Sequence, residues 1–200
     1  MRPRSLHLLR LAGAALALGV LAAQATLWLS RDVAPVRYSG AADIEPKFNL
    51  TDHTGRVVTD STFLGRPVVY MFGTIADADL TPAALQVLRA AAEKLKSYNV
   101  VTLFLALDPQ RDTPAALTAL LTHTRSDALA LMGTADVMDH VARQFRIHLT
   151  RRPDVATPGG MRIDHSQAFF VFGRDGRFKG LVRYDTNVAT VAREIEVLLK

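Results

Sequence analysis

Three side chains are the best placed to do chemistry in this sequence: Asp77 and Asp79, two apart, and His165 within Asp164-His165-Ser166. Two carboxylates and an imidazole form an O,O,N donor set suited to Zn, Cu(II) or Mn. Residues two apart converge on one point from a loop but not from one helix face, so this reading needs 77–79 to be loop. Each residue also has a plainer role. Negative charge just before a helix is favourable by about 0.3–1 kcal/mol, and an imidazole at a loop mouth can be held by neighbouring backbone groups. Asp164-His165-Ser166 is not a catalytic triad, because neighbours on an extended chain point to opposite sides.

Met161, four residues before His165 in a polar stretch, is the one methionine placed to act as a soft ligand; one thioether with one imidazole holds Cu(I) only weakly. Met71, Met132 and Met138 fall in apolar runs and read as core, while His123, His140 and His148 are isolated. The chain has no cysteine, so thiolate nucleophiles, thiol–disulfide exchange and disulfides are all absent. No nucleophile–base pair, phosphate-binding glycine loop or tightly spaced metal motif occurs, and a non-enzyme is expected.

The elements that must position these groups follow from periodicity and punctuation. Residues 68–73 form a β-branched and aromatic run of strand length. After a loop, Thr81-Pro82 supplies an N-cap oxygen and a proline at the first helical position of a helix over residues 82–97, with Leu85, Leu88, Ala92 and Leu95 at helical spacing. Residues 100–107 are continuously apolar, as in a parallel strand buried on both faces. Asp108 to Pro114 then leads into a helix capped by Thr113, its two acids able to pair with Arg111. A strand over 128–132 precedes a helix over 134–145, capped by Thr134 and carrying Val137, Met138 and Val141 inward.

Residues 146–150 suit a short strand and 151–163 a loop. Gly173-Arg174-Asp175-Gly176 joins strands 167–172 and 177–184 in an antiparallel hairpin, and Asn187 caps a last helix. Near the start, His53-Thr54-Gly55 turns a short hairpin between 47–52 and 56–59. The order is that of a mixed α/β sheet with helices on its faces.

At 200 residues with 49% apolar composition, the chain supports one core plus an appendage. Its formal charge is +5, but Arg2, Arg4 and Arg10 precede the first acid. Without them, the Lys and Arg are scattered and nearly balanced by Asp and Glu, so no nucleic-acid partner is expected. Residues 11–29 carry no charge and are interrupted only by Gln24 and Thr26, close to the ~20 residues of a membrane span. Arginines before the run place that end in the cytoplasm. The expectation is a signal anchor or transmembrane segment over 1–30, a tether over 31–46 and a domain over 47–200, single-pass in the inner membrane and facing the periplasm in a bacterium.

Residues 108–114, Asp-Pro-Gln-Arg-Asp-Thr-Pro, match Asp-Pro-x-Arg-Asp-Thr-Pro at every fixed position. With Phe72-Gly73, Pro82 and Asp164-His165-Ser166 they make the chain resemble the Sco/SenC family, thioredoxin-like copper-delivery proteins that assist cytochrome c oxidase assembly. The resemblance covers residues 48–199. It implies a thioredoxin-like fold, a protein partner in respiratory oxidase or copper-site assembly, copper as the metal, and His165 as a copper ligand. It also implies two cysteines before the helix, and there the chain departs: Asp77 and Thr81 occupy those positions, with Asp79 where the family often has Asp. A carboxylate, a hydroxyl and one imidazole do not suit Cu(I). Two expectations stand: an accessory or binding protein without thiol chemistry or the usual Cu(I) site, and a divalent metal-binding protein using Asp77, Asp79 and His165.

Overall fold

A computed structural model describes residues 44–155 and 161–200. Its elements are β1 (Asn49–Asp52), β2 (Val57–Thr59), β3 (Val68–Gly73), α1 (Leu80–Lys94), β4 (Val101–Ala106), α2 (Pro114–Thr124), β5 (Leu129–Met132), α3 (Ala135–Gln144), β6 (Thr150–Pro153), β7 (Met161–Asp164), β8 (Ala168–Phe172), β9 (Phe178–Arg183) and α4 (Val188–Leu199). Seven strands make one sheet in the order β2-β1-β5-β4-β3-β8-β9, while β6 and β7 pair separately as a ribbon. The inner strands β3, β4 and β5 are parallel, and β1 and β8 flank them antiparallel.

The apolar run of β3 is buried along its whole length because both faces of the sheet are covered. Alternate residues serve opposite layers. Tyr70 and Phe72 join Phe170, Phe172 and Phe145 on the α3 side, while Val69 and Met71 pack with Leu85, Leu88, Phe104 and Phe169 under α1. Phe145 is the hub of the first layer, with edge-on ring contacts to Tyr70, Phe72, Phe170 and Phe172 at centroid distances of 5.0, 4.9, 5.3 and 5.7 Å. Ile44, the first of the described residues, is buried in this layer.

Local signals held at three helix starts. Thr113 Oγ1 accepts from the Ala116 amide, Thr134 Oγ1 from Val137, and Asn187 Oδ1 from Ala189 and Thr190. The first hairpin also forms as expected, tied by buried Asp52, whose carboxylate accepts from the Thr54 amide and hydroxyl and from the Arg56 amide and guanidinium.

Three expectations need correction. Helix α1 starts at Leu80, so Thr81 lies inside it and is not the N-cap. Val137 is 38% exposed; the inward stripe of α3 is Met138, Val141 and Ala142, running on to Phe145, and Val137 lies one position off it. The short strand expected over 146–150 and the loop over 151–163 divide elsewhere: the strand begins only at Thr150 and runs to Pro153 as β6, which pairs antiparallel with β7. That ribbon is built from Arg-Asp pairs, Arg151 with Asp139 and both Arg152 and Arg162 with Asp164, so no apolar alternation announced it. The expected membrane segment and most of the tether lie outside the described residues, among which no helix is long and apolar enough to cross a membrane.

Candidate functional site

The site lies at the carboxyl end of β3. Strand β3 ends at Gly73, where nothing larger fits: a Cβ there would sit 2.9 Å from Phe104 Cε2 and 3.0 Å from Thr81 Oγ1. The chain then turns through 74–79 into α1. Thr74 and Thr81 are both buried, and the Thr81 hydroxyl donates to the Thr74 carbonyl at 2.9 Å, closing the loop on itself. Asp77 tightens it further. Its amide donates to the Thr74 carbonyl, its side chain accepts from the Leu80 amide at 3.2 Å, and its carbonyl accepts from the Thr81 amide. At Asp77 the plainer role is therefore realised, with the carboxylate serving the open end of the helix. Asp79 is exposed and makes no capping hydrogen bond.

The Asp108 to Pro114 segment braces this loop. Strands β3 and β4 are parallel with Gly73 opposite Ala106, which sets the two following loops side by side. Asp112 reaches across. One of its oxygens accepts from the Thr74 hydroxyl at 3.0 Å and the Ile75 amide at 2.8 Å, and the other from the Asp108 amide at 2.9 Å. Asp112 is wholly buried, and that burial pushes its carboxyl up to about 6, against the pull of its three hydrogen bonds. Of the two acids expected to pair with Arg111, only Asp108 is bonded to it directly. The Arg111 guanidinium also donates to the Met161 carbonyl at 2.8 Å, tying the brace to β7 and so to the residues just before His165.

His165 is half-buried, with Nδ1 3.1 Å from the Ser166 carbonyl oxygen. It shares with Thr81 a cleft of about 20 Å³, room for one water-sized molecule, which is also lined by Met71, Gln167, Phe169 and Tyr184. The structure thus brings together Thr81 and His165, while Asp77 and Asp79 do not line this cleft. Among the described residues no three His, Cys, Asp or Glu side chains are grouped to hold a metal ion. Met161 contributes its carbonyl to Arg111, and its side chain does not line the cleft. His123, His140 and His148 are exposed. Sequence reasoning missed the roles of Thr74, Gln167 and Tyr184, which carry no motif and are placed only by tertiary packing.

The two positions where the resemblance puts sulfur ligands do not suit Cu(I): the Thr81 hydroxyl already donates to the Thr74 carbonyl, one oxygen of Asp77, which does not line the cleft, accepts from the Leu80 amide, and neither supplies the soft sulfur Cu(I) prefers.

A parallel three-strand centre, an antiparallel hairpin beside it and helices on both faces define a thioredoxin-like domain. Solved structures agree: ScoI from Bradyrhizobium japonicum with copper bound superposes with a TM-score of 0.65 at 28% identity, covering 76% of this chain and 98% of that one. Yeast Sco1 with copper bound gives 0.67 at 28% identity, covering 77% and 87%. The SCO1/SenC family model matches residues 36–200, and the chain belongs to that family. Curated relatives include the human mitochondrial protein SCO1 homolog, 28% identical over 71% of this chain and 48% of its own length. The Arabidopsis thaliana mitochondrial protein SCO1 homolog 2 is 35% identical over 52% of this chain and 39% of its own length. The chain therefore spans about half or less of the length of these relatives.

Proposed function

We propose that this chain is a membrane-anchored SCO1/SenC protein that has given up the usual Cu(I) site and thiol chemistry, and acts as a non-enzymatic accessory or binding partner in copper-site or cytochrome c oxidase assembly. Its segment 11–29 anchors it in the inner membrane with the domain in the periplasm. The observation that carries the reading is the closed loop 74–81: where the family resemblance puts two sulfur ligands, one Asp77 carboxylate oxygen accepts from the Leu80 amide and the Thr81 hydroxyl donates to the Thr74 carbonyl. The scaffold around them is complete, including the Asp112 brace and the Arg111 link to the ribbon. A retained frame with an altered centre suits a protein that still docks where its relatives dock.

The test is genetic and biochemical together. Deletion of the gene in the source organism should lower the copper content of the oxidase, and the parent gene should restore it. His165→Ala should restore it as well, because no metal passes through the cleft. Purified full-length protein titrated with Cu(I), Cu(II) and Zn(II) against a competing chelator should retain none of them. Failure of His165→Ala to complement, together with stoichiometric divalent binding that this substitution abolishes, would replace the reading with the metal-binding one through Asp77, Asp79 and His165. Unchanged oxidase copper in the deletion strain would refute the assembly role.

A further inference from the structure

The ribbon of β6 and β7 carries a pairing that antiparallel strands do not favour. In its register Arg152 stands directly opposite Arg162, and like charges placed opposite each other on neighbouring strands are destabilising. Side chains alternate along each strand. Ile163 is buried in the core, and Arg151, opposite it, pairs with Asp139 of α3, so Arg152, Arg162 and Asp164 share the outward face.

A single carboxylate serves both guanidinium groups. Asp164 accepts from Arg162 Nε at 3.1 Å through one oxygen and is paired through the other with a terminal nitrogen of Arg152. One negative charge against two positive ones leaves this face net positive. The arginines are also within reach of a partner: their side chains are 64% and 57% exposed, against 32% for Asp164. Each guanidinium offers five N–H donors in a planar fork, and Asp164 engages one nitrogen of each. The surplus continues along the chain. Residues 143–165 hold five arginines and two aspartates, and exposed Arg143 lines a cleft of about 220 Å³ with His148, where Asp139 is taken by Arg151.

The ribbon stands beside the site already described. Asp164 is followed by His165, which lines the cleft with Thr81, and the Arg111 guanidinium holds β7 through the Met161 carbonyl at 2.8 Å. A protein seated at that cleft meets the arginine pair. Asp164 shows which acceptor the pair takes, a carboxylate with one oxygen for each guanidinium. A second carboxylate supplied from outside offsets the repulsion that Asp164 alone leaves.

We propose that the outward face of the β6–β7 ribbon is a docking surface for an acidic segment of a protein partner, with Arg152 and Arg162 receiving its carboxylates. The surface serves the docking role proposed above, on which this inference rests, and gives the partner its chemistry.

The test is titration of the full-length protein, in neutral detergent micelles at low ionic strength, into a labelled peptide of alternating glutamate and serine and into its glutamine counterpart. Fluorescence anisotropy should show saturable binding of the glutamate peptide, weakened by added salt, and none of the glutamine peptide. Arg152→Gln combined with Arg162→Gln should weaken binding about fivefold or more, the loss of two exposed charge-assisted contacts. Arg125→Gln combined with Arg177→Gln removes the same charge from exposed positions outside the ribbon and should leave binding unchanged. If the ribbon variant does not fold, the parent protein decides: the Nε–H resonances of Arg152 and Arg162 should shift on saturation with the glutamate peptide, and unmoved resonances overturn the proposal. Equal weakening by the two double variants would mean general charge attraction and would overturn it too, as would equal binding of both peptides or saturable binding of neither. Arginine shifts produced by phosphatidylglycerol doped into the micelles, and not by the peptide, would give this face to the membrane and refute protein docking. The assembly role is read separately, from oxidase copper in the deletion strain, so a failure of either is distinguishable from a failure of the other.

Discussion

Replacing Asp112 by Asn tests the brace between the two loops, and its effect should depend on pH in a way that no surface carboxylate would imitate. The carboxyl accepts three hydrogen bonds, from the Thr74 hydroxyl, the Ile75 amide and the Asp108 amide. An asparagine carbonyl can keep the first two, but its NH2 then faces the Asp108 N–H. A buried donor left without an acceptor costs about 1–3 kcal/mol. Against this stands ionisation. Burial holds the folded-state pKa at about 6, whereas an unfolded aspartate titrates near ~3.9. Between those values the folded state keeps a proton that the unfolded state has lost, so Asp112 makes the parent less stable as pH rises through the window. At roughly 1.4 kcal/mol per unit the loss amounts to about 3 kcal/mol.

The variant has no such titration. It should be less stable than the parent near about pH 4 and equal to it or more stable near about pH 7, a reversal set by the two magnitudes. Urea unfolding at several pH values, read by linear extrapolation, gives the comparison directly. A gap in the parent's favour that stays constant or widens as pH rises would show that the hydrogen bonds outweigh burial. The account of Asp112 given above would then be wrong.

Three further outcomes are expected. Asp52 is buried, which by itself would raise its pKa, but hydrogen bonds from Thr54 and Arg56 bring it down to about 2; its stabilisation should be complete above ~pH 4 and fade as pH falls toward 2, a slope that acid titration of Asp52→Asn should lack. Phe145→Ala should destabilise by about 3–5 kcal/mol, since it empties the ring cluster between α3 and the sheet; a loss below about 1 kcal/mol in thermal unfolding would contradict the packing. The double substitution Asp77→Cys with Thr81→Cys should create Cu(I) binding that survives chelator competition when the protein is reduced, and adding His165→Ala should remove it. A reduced double variant that binds no Cu(I) would show that the loop no longer holds these positions within reach of His165.

Much of this protein was legible before any coordinate. Continuous apolar runs at 68–73 and 100–107 announced strands covered on both faces, because a strand with one wet face alternates. Thr113, Thr134 and Asn187 marked helix starts through contacts two or three residues away, which a linear reading can see. The missing cysteines fixed what chemistry is unavailable, since no fold can supply a thiolate. What the sequence left open were choices between partners far apart in the chain. Thr81 reads locally as a cap and is instead a buried donor to Thr74; Asp112 reads as a partner of Arg111 and is instead bonded to Thr74 and Ile75, 38 and 37 residues away. The parallel register that sets Gly73 beside Ala106 decides the Asp112 bonds, and register is fixed by the packing of whole layers, not by any residue's own preference. The same holds for the meeting of Thr81 with His165, which share a cleft only because β3 and β8 are neighbours in the sheet.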